Sequence, residues 1–205
     1  PYLDTNNHYG IKENMRNIRE EFSLDSVFQI AQDRFNKKEY NRGIQVLDDV
    51  IWDSPSGLTA YFLRAQYRFE MIQFIQSTQQ MNEMVPLQVL GTDVEGGAGS
   101  LQMQVDYSQV LADYSKLVML QPNLAPVWLN RGFVKAHSKD YSGAIADFRK
   151  AIALFPDYGE AWFNLGITLI QTGEKEEGCL SLSKAGEHGL QRAYDAIQVH
   201  CGTQD

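Results

Sequence analysis

No stretch of this chain stays apolar for the roughly 18 residues that a bilayer-spanning helix needs, so no segment reads as transmembrane. Basic clusters are equally scarce. No run of Lys and Arg is longer than the pair Lys37-Lys38, and the 205 residues carry a net charge of −8. Nucleic acid and anionic membrane surfaces both attract clustered cations, so neither is an expected partner. Cysteine is nearly missing: Cys179 and Cys201 are the only two. With His188 and His200 they make no spacing that fits a zinc module, so no metal is expected. The glycine-rich EGGAGS, Glu95–Ser100, lacks the Gly-Lys-Ser/Thr of a phosphate-binding loop and reads as a turn. There is no His-Glu-x-x-His. The Ser and Asp residues read as surface and cap positions, Asp140 and Asp195 among them, which leaves no Ser-His-Asp set. The expectation is a chain with no catalytic residues and no cofactor. It opens on Pro1 rather than Met, which suggests a mature or excised piece of a longer chain.

What the chain has is a repeat. Tyr141, Ala144, Phe148, Ala151 and Pro156 are spaced by 3, 7, 10 and 15 from the first. One period earlier stand Tyr107, Val110, Tyr114, Leu117 and Pro122 at the same offsets. One period later stand Lys175, Gly178, Leu182, Ala185 and Leu190, and near the start Tyr40, Gly43, Leu47, Val50 and Pro55 fit as well. An earlier half repeats too: Trp128 and Gly132 match Trp162 and Gly166, Tyr61 and Ala65, Val27 and Ala31. A fixed period of this size, about 34 residues, means stacked supersecondary units.

The period and residue set resemble the tetratricopeptide repeat (TPR) family over about residues 24–192. The resemblance implies an all-α, right-handed superhelix of antiparallel helix pairs A and B. Its units are 24–57, 58–124, 125–158 and 159–192, with an arm and amphipathic helix at 1–23 and a capping helix and tail at 193–205. Small residues let helices approach closely, the Trp ring fills the gap between units, and Pro stops helix B. The second unit is too long: Tyr61 to Trp128 and Tyr40 to Tyr107 both span almost two periods where one is expected. An insert of about 76–105 must therefore sit between its A and B helices. Helix A is expected to run on to about Met81–Met84, before Pro86. Beyond it, LQVL and LQMQV alternate like a short hairpin, with a structureless loop as the alternative.

In this family the A helices line a concave groove that binds extended peptides or helices. The matching positions are Phe28, Gln32, Phe35 and Asn36; Phe62, Gln66, Phe69 and Glu70; Leu129, Asn130, Phe133 and His137; and Phe163, Asn164, Ile167 and Gln171. Some members clamp acidic chaperone tails with Lys, Arg and Asn. Here Phe28, Gln32, Leu129 and Phe133 stand in those places, so an acidic tail is not expected. Asn130 and Asn164 match the family's backbone-binding Asn, a residue type that is also simply common there. Six Phe rings would make an open apolar patch, the mark of an interaction site. The patch would take an apolar or helical partner, be covered by the chain's own 11–22 or 74–105, or prove to be core between neighbouring A helices. The implied function is a non-catalytic protein-interaction scaffold. The alternatives are a segment of a larger envelope or secretion assembly and the non-catalytic part of a larger enzyme. Self-association through the arm or insert belongs to the same expectation.

Ile11, Met15, Ile18 and Phe22 fall on one face of a helix. At the other end, Leu190, Ala193, Ala196 and Ile197 mark the helix that covers the last unit. On the repeat geometry, helix B of the fourth unit and this capping helix are antiparallel neighbours, with Cys179 and Cys201 at one level. They would close a 22-residue disulfide loop; two reduced, buried thiols are the alternative. The tail resembles TPR proteins of bacterial envelopes, which favours an exported, periplasmic or cell-envelope location over the cytoplasm.

Overall fold

Apolar and small residues recur at helical spacing from Leu24 onward, and each such run becomes one helix. A computed structural model describes residues 24–84 and 106–202. It contains α1 (Leu24–Asn36), α2 (Tyr40–Asp53), α3 (Leu58–Met84), α4 (Ser108–Leu120), α5 (Ala125–His137), α6 (Tyr141–Leu154), α7 (Gly159–Gln171), α8 (Lys175–Glu187) and α9 (Arg192–His200). The described residues are all-α, with no strand among them. Each helix packs on the next, and α5 also touches α7. The expected face of Ile11–Phe22, the hairpin beyond Pro86 and the last three residues lie outside the described residues.

The turns repeat as faithfully as the helices. Lys38, Lys139 and Gly173 take left-handed φ of 62°, 66° and 93° directly after α1, α5 and α7. The next amide in each case returns to the last helical turn: Glu39 to Arg34, Asp140 to Lys135 and Glu174 to Leu169, at 2.8–2.9 Å. This left-handed C-cap satisfies carbonyls that the helix end would orphan. The B helices α2, α4 and α6 stop just before Pro55, Pro122 and Pro156, where a ring without an N–H cannot continue a helix.

The core lies at the boundaries between units. Ala31, Ile44, Leu47 and Tyr67 join units one and two. Tyr61, Phe69, Tyr114, Leu117, Val127 and Val134 join two and three. Leu129, Phe148, Ala161 and Leu165 join three and four. No unit buries these faces by itself, so stacking creates the hydrophobic stabilisation. The glycines are explained by distance. A Cβ on Gly132 would stand 2.8 Å from the Phe148 ring, and one on Gly166 would stand 2.8 Å from the Gly178 carbonyl. The Trp residues do more than fill space. Trp128 Nε1 donates to the Pro122 carbonyl and Trp162 Nε1 to that of Pro156, both at 2.8 Å. Each ring thereby ties its A helix to the proline that ended the preceding unit.

The one irregular element is α3. It runs for 27 residues where α1, α5 and α7 have 13. The excess extends it by roughly 20 Å at 1.5 Å per residue. Its first extra turns are anchored: Phe74 meets the Tyr40 ring at 5.7 Å, and Gln76 donates to the Tyr107 hydroxyl at 3.5 Å.

Candidate protein-binding groove

The groove positions lie on the A helices α1, α3, α5 and α7, but the structure does not leave six Phe rings open. Phe69 is buried, and Phe28, Phe35, Phe62, Phe133 and Phe163 are half-buried. Of the readings that the sequence left open, packing between helices is the one seen: rings meet the neighbouring A helix, helix B or the capping helix rather than forming an open patch. Phe35 of α1 stacks on Tyr67 of α3 at 4.2 Å. Phe69 of α3 meets Phe133 and His137 of α5 at 5.6 and 5.4 Å, both edge-on. Phe62 meets Tyr114 of α4 at 6.3 Å. Phe163 of α7 carries the Arg192 guanidinium of α9 over its face at 4.5 Å. Edge-on and cation–π contacts of this kind stabilise by about 0.5–1.5 kcal/mol beyond area burial.

Between the rings run amides. Gln32 accepts from the Tyr67 hydroxyl and donates to Asn36, both at 3.0 Å. Gln66 donates to Glu70 at 3.3 Å. Burial, with Glu70 as a smaller cause, pushes the Tyr67 hydroxyl up to about 12. His137 is exposed; its Nδ1 lies 2.9 Å from the Phe133 carbonyl, which can only accept. That nitrogen is therefore the donor of this bond. Asn164 and Ile167 are half-exposed on α7.

Asn130 differs from all of these. It is buried, with 3% of its surface exposed, and neither Nδ2 nor Oδ1 has a hydrogen-bond partner. The Asn matched to the family's backbone-binding position is thus buried in α5, while its counterpart Asn164 in α7 is half-exposed. Leaving a buried amide unmade costs about 1–3 kcal/mol.

With this geometry in hand, residues 136–196 match the tetratricopeptide repeat. The segment 136–196 therefore reads as tetratricopeptide repeat, and the earlier units share its helix-pair form. The crystal structure of TTC0263, a thermophilic TPR protein in Thermus thermophilus, is 17% identical and covers 90% of this chain and 87% of its own, with a TM-score of 0.60. MamA from Desulfovibrio magneticus RS-1 (residues 41 to the end) is 16% identical and covers 83% and 77%, at 0.58. A further crystal structure of MamA is 14% identical and covers 84% and 86%, at 0.57. These likenesses concern the fold. No curated protein matches the chain. A TPR scaffold is typically a protein–protein interaction module and usually non-catalytic.

The TPR register also exposes what the sequence reading missed. By residue type, Asp113 and Asp147 belong with the surface and cap positions, yet both are buried, at 2% and 3% exposed. Asp147 of α6 receives two bonds of 2.7 Å from Arg131 of α5, and Lys135 lies 2.9 Å away. Asp113 of α4 receives Arg64 at 3.1 and 2.5 Å and Arg68 at 2.6 Å, both from α3. Arg64 also reaches back to Asp48 of α2 at 2.6 Å, which links units one and two. Burial works against the Arg64 charge, but its bonds to Asp113 and Asp48 outweigh that and hold its pKa above the ordinary value. A signal was present. Asp113 and Asp147 stand one period apart, and Arg64–Arg131 and Arg68–Lys135 are each offset by one period plus the insert.

Cys179 of α8 and Cys201, after α9, are joined as a disulfide with Cα atoms 5.8 Å apart. Among the described residues, no three His, Cys, Asp or Glu gather in a way that could hold a metal ion. None of the described helices is long and apolar enough to cross a membrane.

Proposed function

We propose that the concave face of α1, α3, α5 and α7 binds an extended segment of a partner protein by recognising its backbone, without catalysis. The observation that carries this reading is the unpaired amide of Asn130. A peptide backbone offers one donor and one acceptor per residue, the complement of a carboxamide. Gln32, Gln66 and Asn164 extend the same amide chemistry along the face, and Phe28, Phe62, Phe133, Phe163 and Ile167 supply half-buried apolar surface beside it. The A-helix cations Arg64, Arg68, Arg131 and Lys135 are held by Asp48, Asp113 and Asp147, so they are engaged within the fold rather than offered to a partner's carboxylates. Access to Asn130 needs a small local opening, which a bound backbone would hold in place.

Substituting Asn130→Leu tests this because stability and binding should move in opposite directions. Removing an unmet buried amide should raise unfolding free energy by about 1–3 kcal/mol in urea. The same variant should lose the partner captured by the wild-type protein, as should Phe133→Ala. A destabilised Asn130→Leu that keeps its partner would sink the reading.

We also propose that the protein works in an oxidising, exported setting, because disulfides persist there and are rare in reducing compartments. The Cys179–Cys201 pair supports this. Mass spectrometry of protein isolated from its own cells under non-reducing conditions decides it: two free thiols would refute export.

A further inference from the structure

One outward position of helix B changes sign along the chain. Units two, three and four place Lys116, Lys150 and Lys184 there, one period apart, and unit one places Asp49. Lys150 and Lys184 lie over the rings of Trp128 and Trp162, at 6.0 and 5.3 Å. Among the described residues, Lys116 meets neither a ring nor a carboxylate, and the exposed Asp49 meets no cation. Three residues further on stand Trp52 and Met119, again at matching points of α2 and α4. They are 86% and 72% exposed. Residues three and four apart share one face of a helix. The outward face of α2 is thus a Trp beside Asp49 and Asp53, and that of α4 is a Met beside a lysine. Side chains this open are unmet hydrophobic surface. Their equivalents in units three and four are Ala153 and Glu187, so the large apolar pair is confined to units one and two.

The two faces lie side by side. Arg64 of α3 bonds Asp48 of α2 at 2.6 Å and Asp113 of α4 at 3.1 Å. Ile51 of α2 packs on the core cluster that holds Leu117 and Val118 of α4. As B helices of consecutive repeats, α2 and α4 run the same way, with Asp49 level with Lys116 and Trp52 with Met119. Such a pair of faces is complementary to itself. A two-fold axis parallel to both helices, midway between them, lays α2 of one molecule over α4 of a second copy, and the reverse. Each Trp52 then meets a Met119, a favourable contact of ring and thioether. Each Asp49 meets a Lys116, which fixes the register. A lysine in unit one, as in the other three units, would set like charges at that point.

We propose that the chain pairs with a second copy through the outward faces of α2 and α4, with Trp52 against Met119 and Asp49 opposite Lys116 of the second copy. The concave face of the A helices stays open in the pair. Two helices from each molecule make an interface smaller than the about 800 Å² per partner of a standard one, so the association is weak and reversible.

Sedimentation of the full chain tests this. A monomer–dimer equilibrium should appear between about 5 and 500 μM and weaken in about 0.5 M salt, which screens the ion pairs. Asp49→Lys alone and Lys116→Asp alone should each weaken dimerisation about tenfold or more, since each sets like charges across the axis. Mixing these two variants should restore it, because every contact across the axis again joins a cation to a carboxylate. Trp52→Ala should weaken it about tenfold or more. Its melting temperature should not change, since the exposed ring supports no core. Four results would each overturn the proposal. They are a monomer throughout that range, a dimer that survives Asp49→Lys or Trp52→Ala, and charge variants that stay monomeric when mixed. The fourth is assembly that grows past the dimer, the sign of a head-to-tail contact.

Discussion

Asp147 in the third unit and Ser181 in the fourth stand at the same point of helix B, one period apart, and both are buried. With Asp147 come the cations Arg131 and Lys135; with Ser181 come Leu165 and Leu169 at the matching positions. The fold accepts either solution, as expected when the desolvation of a buried ion pair nearly cancels its attraction. Breaking the set is a different matter, because it strands charge. Asp147→Ala should therefore cost about 3–5 kcal/mol, by leaving two cations beside α6 with no carboxylate. Copying the fourth unit, Arg131→Leu with Lys135→Leu and Asp147→Ser, should cost no more than about 1.5 kcal/mol, as packed replacements of buried pairs do. Urea midpoints at constant m-value measure both. If the single variant were no worse than the triple, the pair would not be holding α5 to α6. The charges escaped the sequence reading because an isolated Asp is solvated by default. Only the recurrence of acid and cation together, in step with the repeat, marks Asp113 and Asp147 as inward-facing.

Among the elements, α9 is the least able to stand alone. It has nine residues and buries only Ala193, and a helix that short is marginal in water without packing. Three further contacts hold it: the Arg192–Glu160 ion pair, Arg192 over the Phe163 ring, and the Tyr194 ring against Gly186, where a Cβ would come within 2.7 Å. The disulfide closes the remaining freedom across 22 residues. In the chain-entropy account a loop of that size stabilises by about 3 kcal/mol. Because stacked repeats interact mainly with their neighbours, the loss on reduction should stay local. Reduction, or Cys201→Ser, should speed amide exchange through residues 192–201 and lower the melting temperature, while α1–α6 keep their protection. Unchanged exchange at the C-terminus after reduction would show that packing alone secures the helix. The capping helix itself was legible from the Ala193, Ala196 and Ile197 spacing. Its hold on Phe163 was not, because nothing in the period says where Arg192 points.

For the whole molecule, the architecture was legible because a single repeating period fixes helix, turn and boundary together. Trp128, Gly132, Tyr141 and Pro156 each specify a different part of the same unit. The groove was less legible for a geometric reason. A ring on an A helix, such as Phe69, can face the concave surface or the next A helix, and a small change in helix crossing decides between them. The same boundaries that took the Phe rings also hold tyrosines: Tyr67 between units one and two, Tyr114 between two and three, and Tyr158 between three and four. Burial raises all three hydroxyls, Tyr67 and Tyr158 to about 12 and Tyr114 higher still. An unfolded tyrosine ionises near pH 10. Below that pH both states keep the proton and the contribution is constant. Above it the unfolded chain releases protons first, so stability falls as pH rises through about 12. Helicity should therefore collapse in one transition between about pH 10 and 12, since each boundary loses its neutral ring in the same window. Tyr67→Phe separates this from general alkaline repulsion. It forfeits the bond to Gln32, so at neutral pH it should be slightly less stable, by about 0.5–1.5 kcal/mol. Its alkaline midpoint should nonetheless move upward, because one late-ionising group is gone. Circular dichroism against pH reads both effects, and an alkaline midpoint that falls or stays in Tyr67→Phe would show that the buried tyrosines do not set the limit.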